Sequence, residues 1–138
     1  MSVRCFDHSL TPADDAIAWQ DQRSFLYGDG HFTTMRVMGG TAQFIDAHLT
    51  RLQEANRRLV FGELDWHRME EIIAQIAEEM TSGVLRLHIS RGRGGRGYGG
   101  TSALTPEIFV TTGAWEPSLV PDMFELEVAE TQLSHNKQ

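Results

Sequence analysis

The chain has 138 residues, a formal net charge of −7 at pH 7 and a mean hydropathy of −0.30. That length is one ordinary domain, or one domain plus a piece of another, and suffices to bury roughly two-thirds of the unfolded surface. No apolar run approaches the ~20 residues of a membrane span, the N-terminus lacks an apolar signal core, and Cys5 has no second cysteine to pair with, so a cytoplasmic chain without membrane or metal partners is expected.

Eleven of the twelve basic residues are arginine, and Lys137 is the single lysine. Arginine grips carboxylates and phosphates with a planar fork, whereas lysine forms Schiff bases. The composition therefore suits anion binding and is poor in amine chemistry.

In chain order, a short strand is expected near Val3 to Phe6, a turn at Thr11 to Asp15, and a loop through Asp21 to Arg23. Phe32 to Val37 has strand propensity. Gly39-Gly40 signals a hairpin, with Thr41 to Ile45 pairing back. Thr34 and Arg36 then share one face and Thr33, Met35 and Val37 the other, which leaves a polar face for a ligand. Asp46 is expected to cap a helix that carries Leu49, Leu52, Ala55, Asn56 and Leu59 toward Gly62. Asp65 caps a second helix whose Met69, Ile72, Ile73, Ile76, Ala77 and Met80 recur at helical spacing. Glu70 and Glu71 lie near its start and Gly83 ends it.

Val84 to Ser90 alternates as a half-buried strand, a glycine-rich loop runs from Gly92 to Gly100, and Pro106 introduces the strand Ile108 to Thr112. Glu116 to Asp122 reads as a linker. Phe124, Leu126 and Val128 then begin a further strand. The expected fold class is α+β, a largely antiparallel sheet with two helices packed on it.

Gly92-Arg93-Gly94-Gly95-Arg96-Gly97 matches G-x-G-x-x-G, but no helical pattern follows to receive a pyrophosphate, so dinucleotide binding is rejected. An RGG-like nucleic-acid patch lacks the basic footprint that such binding needs, so no nucleic-acid partner is expected. Two readings of the loop stay open: a surface loop of solvated arginines, or a site where arginines grip carboxylates while glycines let the backbone approach. His48 and Arg51, three apart, are neighbours on one helix surface.

Taken together, Gly28-Asp29-Gly30-His31-Phe32-Thr33-Thr34-Met35-Arg36-Val37, then His48-Leu49-Thr50-Arg51-Leu52, then Ser90 to Tyr98, resemble the aminodeoxychorismate lyases. These belong to the fold-type IV pyridoxal-phosphate enzymes, alongside branched-chain and D-amino-acid aminotransferases. The resemblance implies a small N-terminal α+β domain over residues 1–114, a linker over 115–122 and the start of a larger domain over 123–138. It also implies a homodimer. Arg51 would bind the phosphate of pyridoxal 5'-phosphate, with His48 supporting its helix. Phe32 and Thr34 would face cofactor and substrate, and Arg96 and Tyr98 would meet a substrate with two carboxylates. The reaction implied is release of pyruvate and 4-aminobenzoate, a folate precursor. No catalytic residue is assigned within the chain. The Schiff-base lysine of the resemblance falls just beyond Gln138 and Lys137 precedes its position, so the chain by itself is expected to be inactive. A fold-type IV aminotransferase, and a dimerisation or binding module without catalysis, are the alternatives.

Overall fold

A computed structural model describes residues 2–13, 19–97, 104–116 and 123–131. Five strands form one antiparallel sheet: β1 (Ser2–Phe6), β2 (Gly30–Met38), β3 (Thr41–Ala42), β4 (Ser82–Ser90) and β5 (Glu107–Gly113), in the order β1-β5-β4-β2-β3. The centre of the sheet is the pairing of β2 with β4, in register over all nine residues from Gly30 opposite Ser90 to Met38 opposite Ser82. Three helices accompany it: α1 (Arg23–Tyr27), α2 (Ile45–Arg58) and α3 (Trp66–Met80). The architecture is the expected α+β layer. Among the described residues no helix is long and apolar enough to cross a membrane, and no cluster of three potential metal ligands occurs.

The period-2 pattern decides which face is covered. Met35 and Val37 of β2, Leu85, Leu87 and Ile89 of β4, and Ile108 and Val110 of β5 are fully buried beneath the helices. From above, Leu49 and Leu52 of α2 and the Met69–Ile73–Ile76–Ala77 stripe of α3 complete the core. That stripe is structural, as its spacing predicts. Arg4 of the edge strand β1 reaches Glu79 of α3 in an ion pair at the rim.

Several boundaries differ from expectation. The Asp21 to Arg23 stretch is not a loop: Trp19–Asp21 is a single 3-10 turn and Arg23 opens α1. The return strand β3 stops at Ala42. One more backbone bond, from Gln43 N to Arg36 O at 2.8 Å, continues the pairing before Phe44 turns the chain out of the sheet at φ 56°. Ile45 therefore meets the core from α2. Phe44, not Asp46, occupies the cap position, without a side-chain cap. Asp46 lies in the first turn, where the helix dipole still favours its charge. Asp65 does cap α3, accepting from Arg68 N at 2.9 Å.

The helix α3 ends at Met80 with Thr81, not Gly83, as its cap, and Glu70 and Glu71 fall outside its first turn. Gly83 lies inside β4, where a Cβ would come within 2.5 Å of the Gly113 carbonyl. Its small size serves the close approach of β5. Residues 123–131 form no strand, and Phe124, Leu126 and Val128 are exposed. A strand needs neighbours to satisfy its backbone and bury its apolar side, and none of the described strands pairs with this stretch.

Candidate active site

The face of the sheet opposite α2 and α3 is open in part: Ser24 of α1 lies against Gly30 and Phe109 is buried there, while the rest is exposed. Register places Phe32, Thr34 and Arg36 of β2 beside His88, Arg86 and Val84 of β4, with Phe109 and Thr111 of β5 next in line. Phe32 remains 49% exposed, and Thr34, Arg36 and Arg86 are exposed as well. Each arginine lies against an aromatic ring. The Arg86 guanidinium sits 3.9 Å from the centre of the Phe32 ring, and that of Arg36 sits 4.9 Å from the Trp115 ring. Stacking of this kind holds a guanidinium in place while leaving its N–H edge available to an anion. His88 packs edge-on against the buried Phe109. Burial, then the charge of Arg86, pushes its pKa down to about 4, so it is neutral at pH 7.

Arg51 reaches this region from the helix side. Because β3 is only two residues long, the edge of β2 near Phe32 has no strand partner there. Arg51 Nη2 donates to the Phe32 carbonyl at 2.7 Å instead. One turn earlier on α2, His48 Nδ1 lies 2.6 Å from the hydroxyl of the buried Thr33. That bond ties α2 to β2. Burial and the Arg51 charge both lower the His48 pKa, which keeps the ring neutral. Arg51 forms no ion pair and no second hydrogen bond among the described residues, so its other N–H groups remain available.

A third group is built around the Gly-Asp-Gly turn. Asp29 receives Arg23 Nε on one oxygen and Arg91 Nε on the other, both at 2.8 Å. Burial raises its pKa, but the hydrogen bonds and charges of the two arginines outweigh this and hold the carboxylate below its ordinary range. The glycine loop joins this turn. Arg91 also donates to the carbonyls of Val60 and Leu59, each at 2.8 Å, and Arg93 pairs with Glu107 at 2.9 Å. Among the described loop arginines only Arg96 has no hydrogen bond or ion pair, and it is exposed. Arg91 and Arg93 are thus engaged by carboxylates of the fold, and Arg96 is left without such a partner among the described residues. Tyr98 and Lys137 lie outside the described residues.

Phe32 and Thr34 accordingly share the open face, Arg51 is anchored at its edge, and Arg96 stands on the loop that follows β4. Three further basic residues belong to the same surroundings: Arg36 and Arg86 on the open face and the buried Arg23. Alternation in β2 and β4 put Arg36 and Arg86 on polar faces, but only the β2–β4 register shows those faces to be one.

A five-stranded antiparallel sheet with helices packed on it matches the N-terminal domain of fold-type IV aminotransferases. The chain belongs to the amino-transferase class IV family, whose pattern matches residues 30–137. Aminodeoxychorismate lyase of Vibrio harveyi is 30% identical over 118 residues, covering 80% of this chain and 42% of that protein. The crystal structure of 4-amino-4-deoxychorismate lyase from Pseudomonas aeruginosa superposes with a TM-score of 0.65 at 29% identity, over 80% of this chain and 39% of that one. A hypothetical aminotransferase from Mycobacterium tuberculosis, in its PLP-bound form, gives 0.60 at 27% identity, over 80% and 40%. The chain thus spans about two-fifths of the length of the relatives it matches.

Proposed function

We propose that this chain forms the small-domain wall of a pyridoxal-phosphate-dependent 4-amino-4-deoxychorismate lyase, which releases 4-aminobenzoate and pyruvate. The observation that carries the reading is the arrangement of Arg51, bonded to the Phe32 carbonyl, at the edge of a face that exposes Phe32, Thr34, Arg36 and Arg86. Likeness to two proteins named as this lyase, at 30% and 29% identity, supports it over other family members.

The donor set fits the cofactor's phosphate. Arg51 is a fixed cation with unused N–H groups, and such charge-assisted bonds are the strong ones. Pyridoxal phosphate, when bound, supplies the electron sink for breaking the carbon–oxygen bond. On this reading Arg51 holds the phosphate. Phe32 and Thr34 form the wall beside the ring, and Arg36 and Arg86 raise the local positive potential that draws in a dicarboxylate. Arg96 and Tyr98 take a substrate carboxylate. Lys137 is not assigned a catalytic role. Residues 1–114 are then the small domain, 115–122 the linker and 123–138 the start of the larger one, in a cytoplasmic homodimer.

The full-length protein supplied with pyridoxal phosphate and aminodeoxychorismate is expected to release equal amounts of pyruvate and 4-aminobenzoate. Amino-group transfer from a D- or branched-chain amino acid to 2-oxoglutarate, without pyruvate release, would establish the aminotransferase alternative. That alternative has its own support in the neighbour named an aminotransferase.

A further inference from the structure

Among the described residues the largest fully buried side chain is a charged one, Arg23, at 1% exposure. Burying a guanidinium is costly unless its charge and its donors are met. Here they are met from the glycine loop, more than seventy residues away in sequence. Nε pairs with Asp29 at 2.8 Å. Nη1 donates to the carbonyls of Gly94 at 3.2 Å and Gly95 at 3.4 Å, and Nη2 to that of Gly97 at 2.9 Å. The Tyr27 ring lies 4.8 Å from Cζ.

The loop's glycines make this convergence possible. Gly94, Gly95 and Gly97 all have positive φ, at 99°, 67° and 66°, a region other residues rarely enter. In that conformation their carbonyls turn inward onto one cation. The base of the loop is tied to the same segment, since Arg23 N donates to Gly92 O at 3.0 Å and Arg91 N to Asp29 O at 3.2 Å. Two of the clamped carbonyls belong to the residues on either side of Arg96. The backbone is therefore fixed immediately before and after the one described loop arginine that has no protein partner. Asp29 is shared with Arg91, so two guanidinium groups and one carboxylate leave a net positive charge under the loop.

We propose that Arg23 is a positioning residue: it sets the shape of the 94–97 loop so that Arg96 is presented to a ligand carboxylate already ordered. The role of Arg96 rests on the function proposed above; the clamp itself does not. A loop pre-ordered in this way spares the ligand the entropic cost of ordering it.

The test uses the full-length protein with Arg23→Gln and Arg23→Lys, read by amide hydrogen exchange without substrate and by steady-state kinetics. Lysine keeps a charge beside Asp29 but lacks the planar fork that serves three carbonyls. In both variants the hydrogen-bonded amides at the clamp, those of Arg91, Gly92 and Gly97, are expected to exchange at least about tenfold faster while those of β2 and β4 are unchanged, and substrate KM to rise about tenfold with kcat little altered. If Arg23→Gln fails to fold, Arg23→Lys decides. Unchanged loop exchange, exchange raised equally throughout the sheet, or a loosened loop with unchanged KM would each overturn the proposal. Failure of the unaltered protein to turn over either aminodeoxychorismate or an amino acid would count against the function alone. The exchange measurement would then decide the clamp.

Discussion

The two faces of the sheet are made by the same three strands, alternate residues going to each, yet they obey different rules. On the covered face, Met35, Val37, Leu85, Leu87, Ile89, Ile108 and Val110 are wholly buried and apolar, and their contribution is area removed from water. On the open face, Phe32, Thr34, Arg36 and Arg86 stay exposed, two of them as guanidinium groups laid on aromatic rings. Desolvation is the benefit on one side and a cost on the other. The covered face could be repacked with other apolar residues of similar volume and still do its work. Exchange of a residue on the open face changes which ligand is met.

Substitutions on the two faces should therefore separate stability from binding. The largest effect belongs to the core: Leu87→Ala, at a site with no exposure, should cost about 2–5 kcal/mol in urea unfolding. A loss under 1 kcal/mol would mean that the helices do not seal this face.

Next comes His88, at the boundary between the two rules. Its pKa in the folded chain is about 4 against an ordinary 6.5, because of burial and then Arg86 and His31. Between those values the unfolded chain takes up a proton that the folded chain refuses. Stability is thus full above pH 6.5 and falls as the pH drops toward 4, by up to about 3 kcal/mol, of which about 2 is lost by pH 5. Unfolding midpoints at pH 7 and pH 5 measure this, and His88→Gln should flatten the dependence. A wild-type midpoint equally high at pH 5 would show the ring to be solvated.

Binding effects follow. In the full-length protein Arg51→Ala should lose charge-assisted hydrogen bonds worth about 1.5–3 kcal/mol, a ten- to hundredfold drop in pyridoxal-phosphate affinity by equilibrium titration. Its unfolding midpoint should barely move, since Arg51 is exposed. Affinity equal to wild type would remove Arg51 from the phosphate site. The smallest effect is that of Arg86→Ala, which removes a stacked pair worth about 0.5–1 kcal/mol at an exposed position. Its consequence for substrate KM should exceed its consequence for stability. The reverse order would make Arg86 a structural residue and blur the distinction between the faces.

Much of the fold was legible from pattern. The alternation through β2 and β4 and the helical stripe of α3 each report which side is buried, because burial of one face is what selects such sequences. Boundaries were less legible. Phe44 in a left-handed conformation cuts β3 short, and Gly83 stops no helix but lets two strands close in. The second outcome depends on Gly113, thirty residues further along the chain. For the site, the motifs around Phe32, Thr34, Arg51 and Arg96 stood out by resemblance, whereas their partners did not. Nothing near Arg23 or Asp29 signals that one buried cation will hold three glycine carbonyls more than seventy residues away in sequence.

The sequence by itself determined the α+β class, the covered face and a surplus of arginine suited to anions, since periodicity and composition are local properties. Only the tertiary structure decided which arginines are free to meet a ligand. Arg23, Arg91 and Arg93 are consumed by carboxylates and carbonyls of the fold, while Arg36, Arg51, Arg86 and Arg96 are left at the surface. A guanidinium carries the same charge and donors wherever it stands. Whether they are spent on the protein or kept for a ligand is settled by what folding brings within 3 Å or so.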